Sequence, residues 1–237
     1  MKEMKLSLLS ERAEEESSSV LPRVPMTKNK YFIQLDNCGK KFNREWIFRK
    51  LSYSFESGNS YAITGFNGSG KSTLLQCIAG SMELNEGTIN LPVKPEAHFQ
   101  QLAICTPYLE LIEEMSATEL LTFHQQFKLI NPSIKIAEIL SLIGLEKAGN
   151  KQINRFSSGM KQRLKLAQAV FSDCPVLLLD EPCTNLDKQG YQLYQELITD
   201  YCKEKLVIIC SNEEAEIHFC QDRIHINDYK PLASAGN

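Results

Sequence analysis

Apolar and polar residues alternate over 31–35 and again over 51–55, the period-two pattern of half-buried strands in an antiparallel sheet. Gly58-Asn59 marks the turn that follows, and 60–64, with Tyr61, Ala62 and Ile63, reads as a short buried strand. A glycine-rich stretch then leads into a predicted helix over about 71–80. In the middle of the chain, about 107–173, the period changes. Ser116-Ala117-Thr118-Glu119 has the form of a capping box, and Ile136, Ile139, Leu140 and Ile143 fall on one helical face that ends at Gly144, so an all-helical insert is expected there. Two apolar runs, 176–180 and 206–211, flank a helical pattern over about 188–201. That order restores β-α-β and predicts an α/β fold with a parallel sheet and crossover helices, next to an antiparallel β subdomain.

The ends and the composition narrow the picture. Residues 1–29 are polar and mixed in charge, with Glu14-Glu15-Glu16-Ser17-Ser18-Ser19 and two prolines, a composition that buries too little to order itself. A flexible leader is expected, and Met26, just before the first strand, leaves open that the leader is not native. The remainder, 30–237, reads as one globular unit, with no further domain expected beyond it. In 237 residues with a net charge of −3 there is no basic stripe to track a phosphate backbone, so no nucleic-acid partner is expected. No run reaches the roughly 18 apolar residues that a membrane span requires, so any membrane role needs a separate partner. The eight cysteines show no metal-ligand spacing with the four histidines and read as reduced, mostly buried thiols.

Three segments carry chemistry. Gly65-Phe66-Asn67-Gly68-Ser69-Gly70-Lys71-Ser72 fits G-x-x-x-x-G-K-[ST] and lies between a predicted buried strand and a helix, where a phosphate-cradling loop belongs. The glycines let successive N–H groups face an anion, and the helix adds its positive end. Lys71 is expected to reach the β- and γ-phosphates and Ser72 to ligate Mg²⁺, with Asn67, Ser69 and Thr73 completing the nucleotide-binding set. Second, the run ending at Asp180-Glu181-Pro182 delivers two carboxylates at the C-terminal edge of a strand: Asp180 for the Mg²⁺ shell, Glu181 to orient or deprotonate the attacking water. A GTPase would want Asn-Lys-x-Asp, and both Asn-Lys pairs here, at 29 and 150, lack the aspartate.

The third segment is Arg155-Phe156-Ser157-Ser158-Gly159-Met160-Lys161-Gln162-Arg163, a serine- and glycine-opened helix with Met160, Leu164, Ala167 and Phe171 at helical spacing. With it the chain resembles the ABC ATPase family over about residues 31–228, and its exporter-type cassettes in particular, including those of haem export in cytochrome c maturation. The family signature is usually written Leu-Ser-Gly-Gly-Gln; Ser157 and Gly159 match it, while Phe156, Ser158 and Met160 depart from it.

The resemblance implies that ATP is sandwiched between two cassettes, the signature of one meeting the γ-phosphate held by the other, and that a transmembrane permease is the partner, with export the expected direction. It also implies an adenine-stacking role for Phe42, with a core phenylalanine as the alternative, and an interface loop Thr184-Asn185-Leu186-Asp187 anchored by Asp187. Two positions depart from the pattern. No glutamine stands near Pro107-Tyr108, where the family's Mg²⁺-touching glutamine is expected; Gln100 and Gln101 come too early, and Glu110 or a water is left to serve. Asn212 stands where the family has a histidine that senses the γ-phosphate; an amide can donate but cannot become a cation, so a slow ATPase is expected. The competing readings are a nucleotide-dependent switch or the silent half of a heterodimer, and a soluble ABC ATPase of translation or DNA repair. The last is disfavoured by the lack of a second cassette or a long coiled-coil insertion.

Overall fold

A computed structural model describes residues 31–231, so the expected leader lies outside the described residues. The described part opens with a long hairpin, β1 (Phe32–Phe42) and β2 (Glu45–Glu56), which pairs through β1 with β4 (Glu86–Asn90) into an antiparallel sheet of order β2-β1-β4. Both hairpin strands run well past the alternation that predicts them. The reason is local: β1 shifts register against β2 after Leu35, Cys38 and Lys40, and Asn37 takes a left-handed φ of 49°. Each bulge swaps the inward and outward faces, so Cys38 and Gly39 are buried in succession and the period of two is lost.

The second sheet is parallel, in the order β5-β6-β7-β3-β8, from β3 (Ser60–Thr64), β5 (Leu102–Cys105), β6 (Val176–Asp180), β7 (Leu206–Cys210) and β8 (Asp222–His225). β6 and β7 are buried at every position, the mark of a sheet covered on both faces. Within them the residues alternate between two cores. Val176, Leu178, Leu206 and Ile208 pack with α1 (Lys71–Ile78) and the antiparallel sheet. Leu177, Leu179, Val207 and Ile209 pack with the helices of the other face. Each such side chain contributes roughly 1.5–3 kcal/mol of hydrophobic stabilisation, and a one-residue slip would exchange the two sets.

Between β5 and β6 lie α2 (Ala117–His124), α3 (Ile136–Leu142) and α4 (Ser158–Val170), and α5 (Lys188–Tyr201) and α6 (Glu214–Ile217) follow β6 and β7. The predicted capping box is present: Ser116 accepts from the Glu119 amide at 3.2 Å while Glu119 accepts from the Ser116 amide at 2.8 Å. The insert is less purely helical than expected. Its short helices are joined by turns and tied by two isolated bridges, Ser116 to Gln152 and Ile130 to Ser172. Seven of the described cysteines are buried and all eight are free thiols, as read from the sequence.

Candidate functional site

The strand β3 ends at Thr64 and the chain turns through 65–70 into α1. Gly65 and Gly70 take φ of 149° and 110°, and a Cβ at Gly70 would lie 2.2 Å from Ile47 Cγ2, at Gly65 2.6 Å from Ile226 Cγ2. Only glycine combines that backbone with that closeness. The same contact brings the β1–β2 hairpin against the loop. Gly70 gives α1 no side-chain cap, and no acidic residue stands in its first turn, so the first amides and the positive helix end face out of the loop. Lys71 is buried and folds back, its Nζ donating to the Gly65 carbonyl at 2.8 Å, which fixes a cation at the loop's centre. Ser69 Oγ is buried without a partner, and Thr73 sits partly exposed one position past Ser72. This cradle fits an oligophosphate.

Asp180, at the end of β6, is only 4% exposed. Burial pushes its carboxyl above the ordinary carboxylate range, opposed by a hydrogen bond from Ser72 and by the Lys71 charge. Its Oδ1 is buried with no protein partner. A buried carboxylate oxygen left open beside a serine hydroxyl at the foot of a phosphate loop fits Mg²⁺, which takes one or two protein oxygens and completes its shell with water and phosphate. Glu181 is exposed, and its backbone lies in the left-handed region at φ 44°. That conformation costs a non-glycine residue on the order of 1–3 kcal/mol. Asn212, on the loop after β7, accepts from the Gly65 amide at 3.0 Å and donates to Asn67 Oδ1 at 3.5 Å. Asn67, Gly68 and Asn212 are all exposed, and the Asn212 bonds tie the loop after β7 to the loop 65–70.

Phe42 ends β1, the residue 46% exposed and Lys40 Nζ 5.3 Å from its ring centroid, which removes the core-phenylalanine alternative. The signature segment is elsewhere. Ser157 caps α4, accepting from the Met160 amide at 3.3 Å, and Ser157 and Ser158 are exposed with Gly159 half-buried. Together with Asn185 and Asp187 they line a cleft of 440 Å³ that contains no residue of the phosphate loop. Asp187 accepts from the Gly190 amide at 2.8 Å and so caps α5, which fixes the end of this loop. Gln100 and Gln101 lie in a 3₁₀ turn before β5, while exposed Glu110 lies with Tyr108 on the wall of a second groove, of 750 Å³. Sequence reasoning missed what holds the Glu181 turn, Gln162 and Glu216, because both act across the fold on backbone atoms.

Comparison with known proteins agrees with this geometry. Residues 48–184 match the model of the ABC transporter family. The chain is 30% identical over 201 residues to the uncharacterized ABC transporter ATP-binding protein YybJ of Bacillus subtilis (strain 168), spanning 82% of this chain and 92% of that protein. It is 27% identical to the linearmycin resistance ATP-binding protein LnrL of the same organism (86% and 68% covered), and 26% identical to the lantibiotic transport ATP-binding protein SrtF of Streptococcus pyogenes (83% and 84%). A putative ABC transporter ATP-binding protein from Pyrococcus furiosus superposes with a TM-score of 0.73 at 18% identity, over 84% of this chain and 100% of that one, and shares the fold. No helix among the described residues is long and apolar enough to cross a membrane. The chain belongs to the ABC transporter family, as an ATP-binding subunit of the P-loop type.

Proposed function

We propose that this chain is the motor of a transporter: it binds ATP and Mg²⁺ at the loop 65–72, hydrolyses the nucleotide with Glu181, and energises a separate membrane permease from the cytoplasmic face. The observation that carries the reading is the convergence of the uncapped α1 terminus, buried Lys71, Ser72 and the open Asp180 oxygen on one edge of the parallel sheet. Mg²⁺ held there by Ser72 and Asp180 would offset the charge of the phosphates. Glu181 stands exposed beyond them, where a carboxylate can orient water and take its proton. Phe42, exposed with Lys40 over its ring, is the aromatic available to adenine, and Glu110 or a water takes the place of the missing glutamine.

Two copies, or this chain and a second cassette, would close on ATP, with Ser157 and Gly159 of one facing the phosphate held by the other. The support is the cleft those residues line, which contains no phosphate-loop residue of its own chain, so that a nucleotide reaching it would be held by the loop of another. Relatives named for export and resistance support an efflux role. Asn212 favours a second reading, a nucleotide switch or silent half of a heterodimer, because its amide is engaged with Gly65 and Asn67 and cannot carry a proton.

Steady-state ATP hydrolysis and size-exclusion chromatography in ATP and Mg²⁺ separate the two, using the wild type, Glu181→Gln and Asn212→His. The motor reading expects slow wild-type turnover, a loss of about 10²–10⁴ in Glu181→Gln with ATP-dependent dimers retained, and faster turnover in Asn212→His. A wild type as inactive as Glu181→Gln, yet binding ATP, replaces it with the switch.

A further inference from the structure

The strained backbone of Glu181 needs something to hold it, since a left-handed non-glycine residue persists only when its surroundings over-determine it. On the upstream side the Glu181 amide donates to the Cys210 carbonyl at 2.9 Å. Downstream, two buried side chains grip the next two residues. Gln162, 3% exposed on α4, donates from Nε2 to the Pro182 carbonyl at 2.6 Å. Glu216, 2% exposed on α6, accepts from the Cys183 amide at 3.0 Å.

Glu216 is a costly residue for mere packing. Its Oε2 is buried with no hydrogen-bond partner, a desolvated acceptor that works against folding. Burial raises its carboxyl above the ordinary range, opposed by the nearby Ser211 hydroxyl, next to Asn212 in sequence, and by the Cys183 amide. The same Ser211 hydroxyl accepts from the Glu213 amide at 2.9 Å, and Tyr194 Oη donates to the Glu216 carbonyl at 3.0 Å, so the α6 end is anchored as well. Glu216 thereby ties the turn that presents Glu181 to α6, the helix entered directly from the loop that presents Asn212, and Gln162 joins that turn to the helix opened by Ser157.

We infer that Gln162 and Glu216 form a two-sided clamp that positions Glu181 against the Asn212 loop, and that turnover, not nucleotide binding, depends on it. Neither residue touches the phosphate cradle: Lys71, Ser72 and the α1 terminus are held by other contacts. The inference rests on the hydrolysis reading above.

The test uses the full chain as wild type, Glu216→Ala, Glu216→Gln and Gln162→Leu, with kcat, KM, equilibrium ATP affinity and melting temperature measured for each. Misplacing a reacting group by about 1 Å can lower a rate by about 10²-fold, and that is the expected fall in kcat for Glu216→Ala and Gln162→Leu, with ATP affinity unchanged. Glu216→Gln keeps an oxygen for the Cys183 amide and is expected to restore most of the turnover. If Glu216→Ala does not fold, Gln162→Leu carries the test from the other side of the turn. A kcat in Gln162→Leu and Glu216→Ala equal to wild type overturns the clamp while leaving hydrolysis standing. So does a parallel loss of ATP binding and turnover in all three variants, which marks a structural role only. A wild type without turnover overturns the hydrolysis reading and the clamp with it.

Discussion

Two helix N-termini in this chain have the same local recipe and different endowments. α1 opens through 65–70 and α4 through Ser157, Ser158 and Gly159; both rely on glycine and serine, and neither has an acid in its first turn. At α1 a buried lysine is folded into the loop and a carboxylate with an open oxygen stands behind it. At α4 the serine caps its own helix, and the first-turn cation, Lys161, is paired with Glu113. The first terminus has charge of both signs turned toward the loop, while around the second Arg163 is committed to the Ile143 carbonyl and Asp187 to capping α5, which leaves the amides and hydroxyls of the terminus itself. On the proposed function, an anion that reaches the second would arrive already held and partly neutralised by the partner cassette.

Between the two termini, the largest effect is expected from Lys71→Ala, which removes the cation that distinguishes α1. Loss of a preorganised donor at a developing charge lowers turnover by about 10²–10³, and weakened ATP binding adds to it; hydrolysis rates with equilibrium binding check both. Unchanged binding would mean that the α1 terminus, like α4, works through amides alone. Next is Gly159→Asp, which adds a carboxylate in the first turn of α4, a position that favours the helix itself. Its Cβ would sit 3.2 Å from the Asn185 carbonyl, a contact a small shift relieves. The chain should still bind ATP, but like-charge repulsion of several kcal/mol should abolish ATP-dependent dimers at concentrations where the wild type forms them. Weaker ATP binding by the isolated chain would place the signature in its own nucleotide site and end the comparison. The smallest effect belongs to Phe42→Ala. Loss of one aromatic stack costs about 1–3 kcal/mol, seen as weaker ATP affinity with kcat little changed; equal affinity for ATP and for triphosphate alone in the wild type would deny the stack.

Some of this was open to reading in the primary structure because the relevant physics is local. A phosphate loop is made from consecutive backbone amides, so 65–72 announces itself; β6, β7 and α5 stand out because a buried parallel strand is an unbroken apolar run and a capped helix has a fixed period. β4, β5 and β8 did not: β4 and β8 are mostly exposed and carry no unbroken apolar run, and β5 is only four residues long. Phe42 could not be assigned to core or surface while the bulges of β1 were unknown, because each bulge reverses which face a residue takes.

The sequence alone determined the class of fold, the phosphate loop and the carboxylate pair, since each is written in residues that are neighbours along the chain. Only the tertiary structure decided that Phe42 is a surface ring, that Asn212 is bonded to Gly65 and Asn67, that Ser157 and Asp187 line one cleft, and that Glu181 is strained and gripped by Gln162 and Glu216. Those contacts join segments distant in sequence through backbone atoms that every residue possesses, so no pattern of side chains along the chain can specify them in advance.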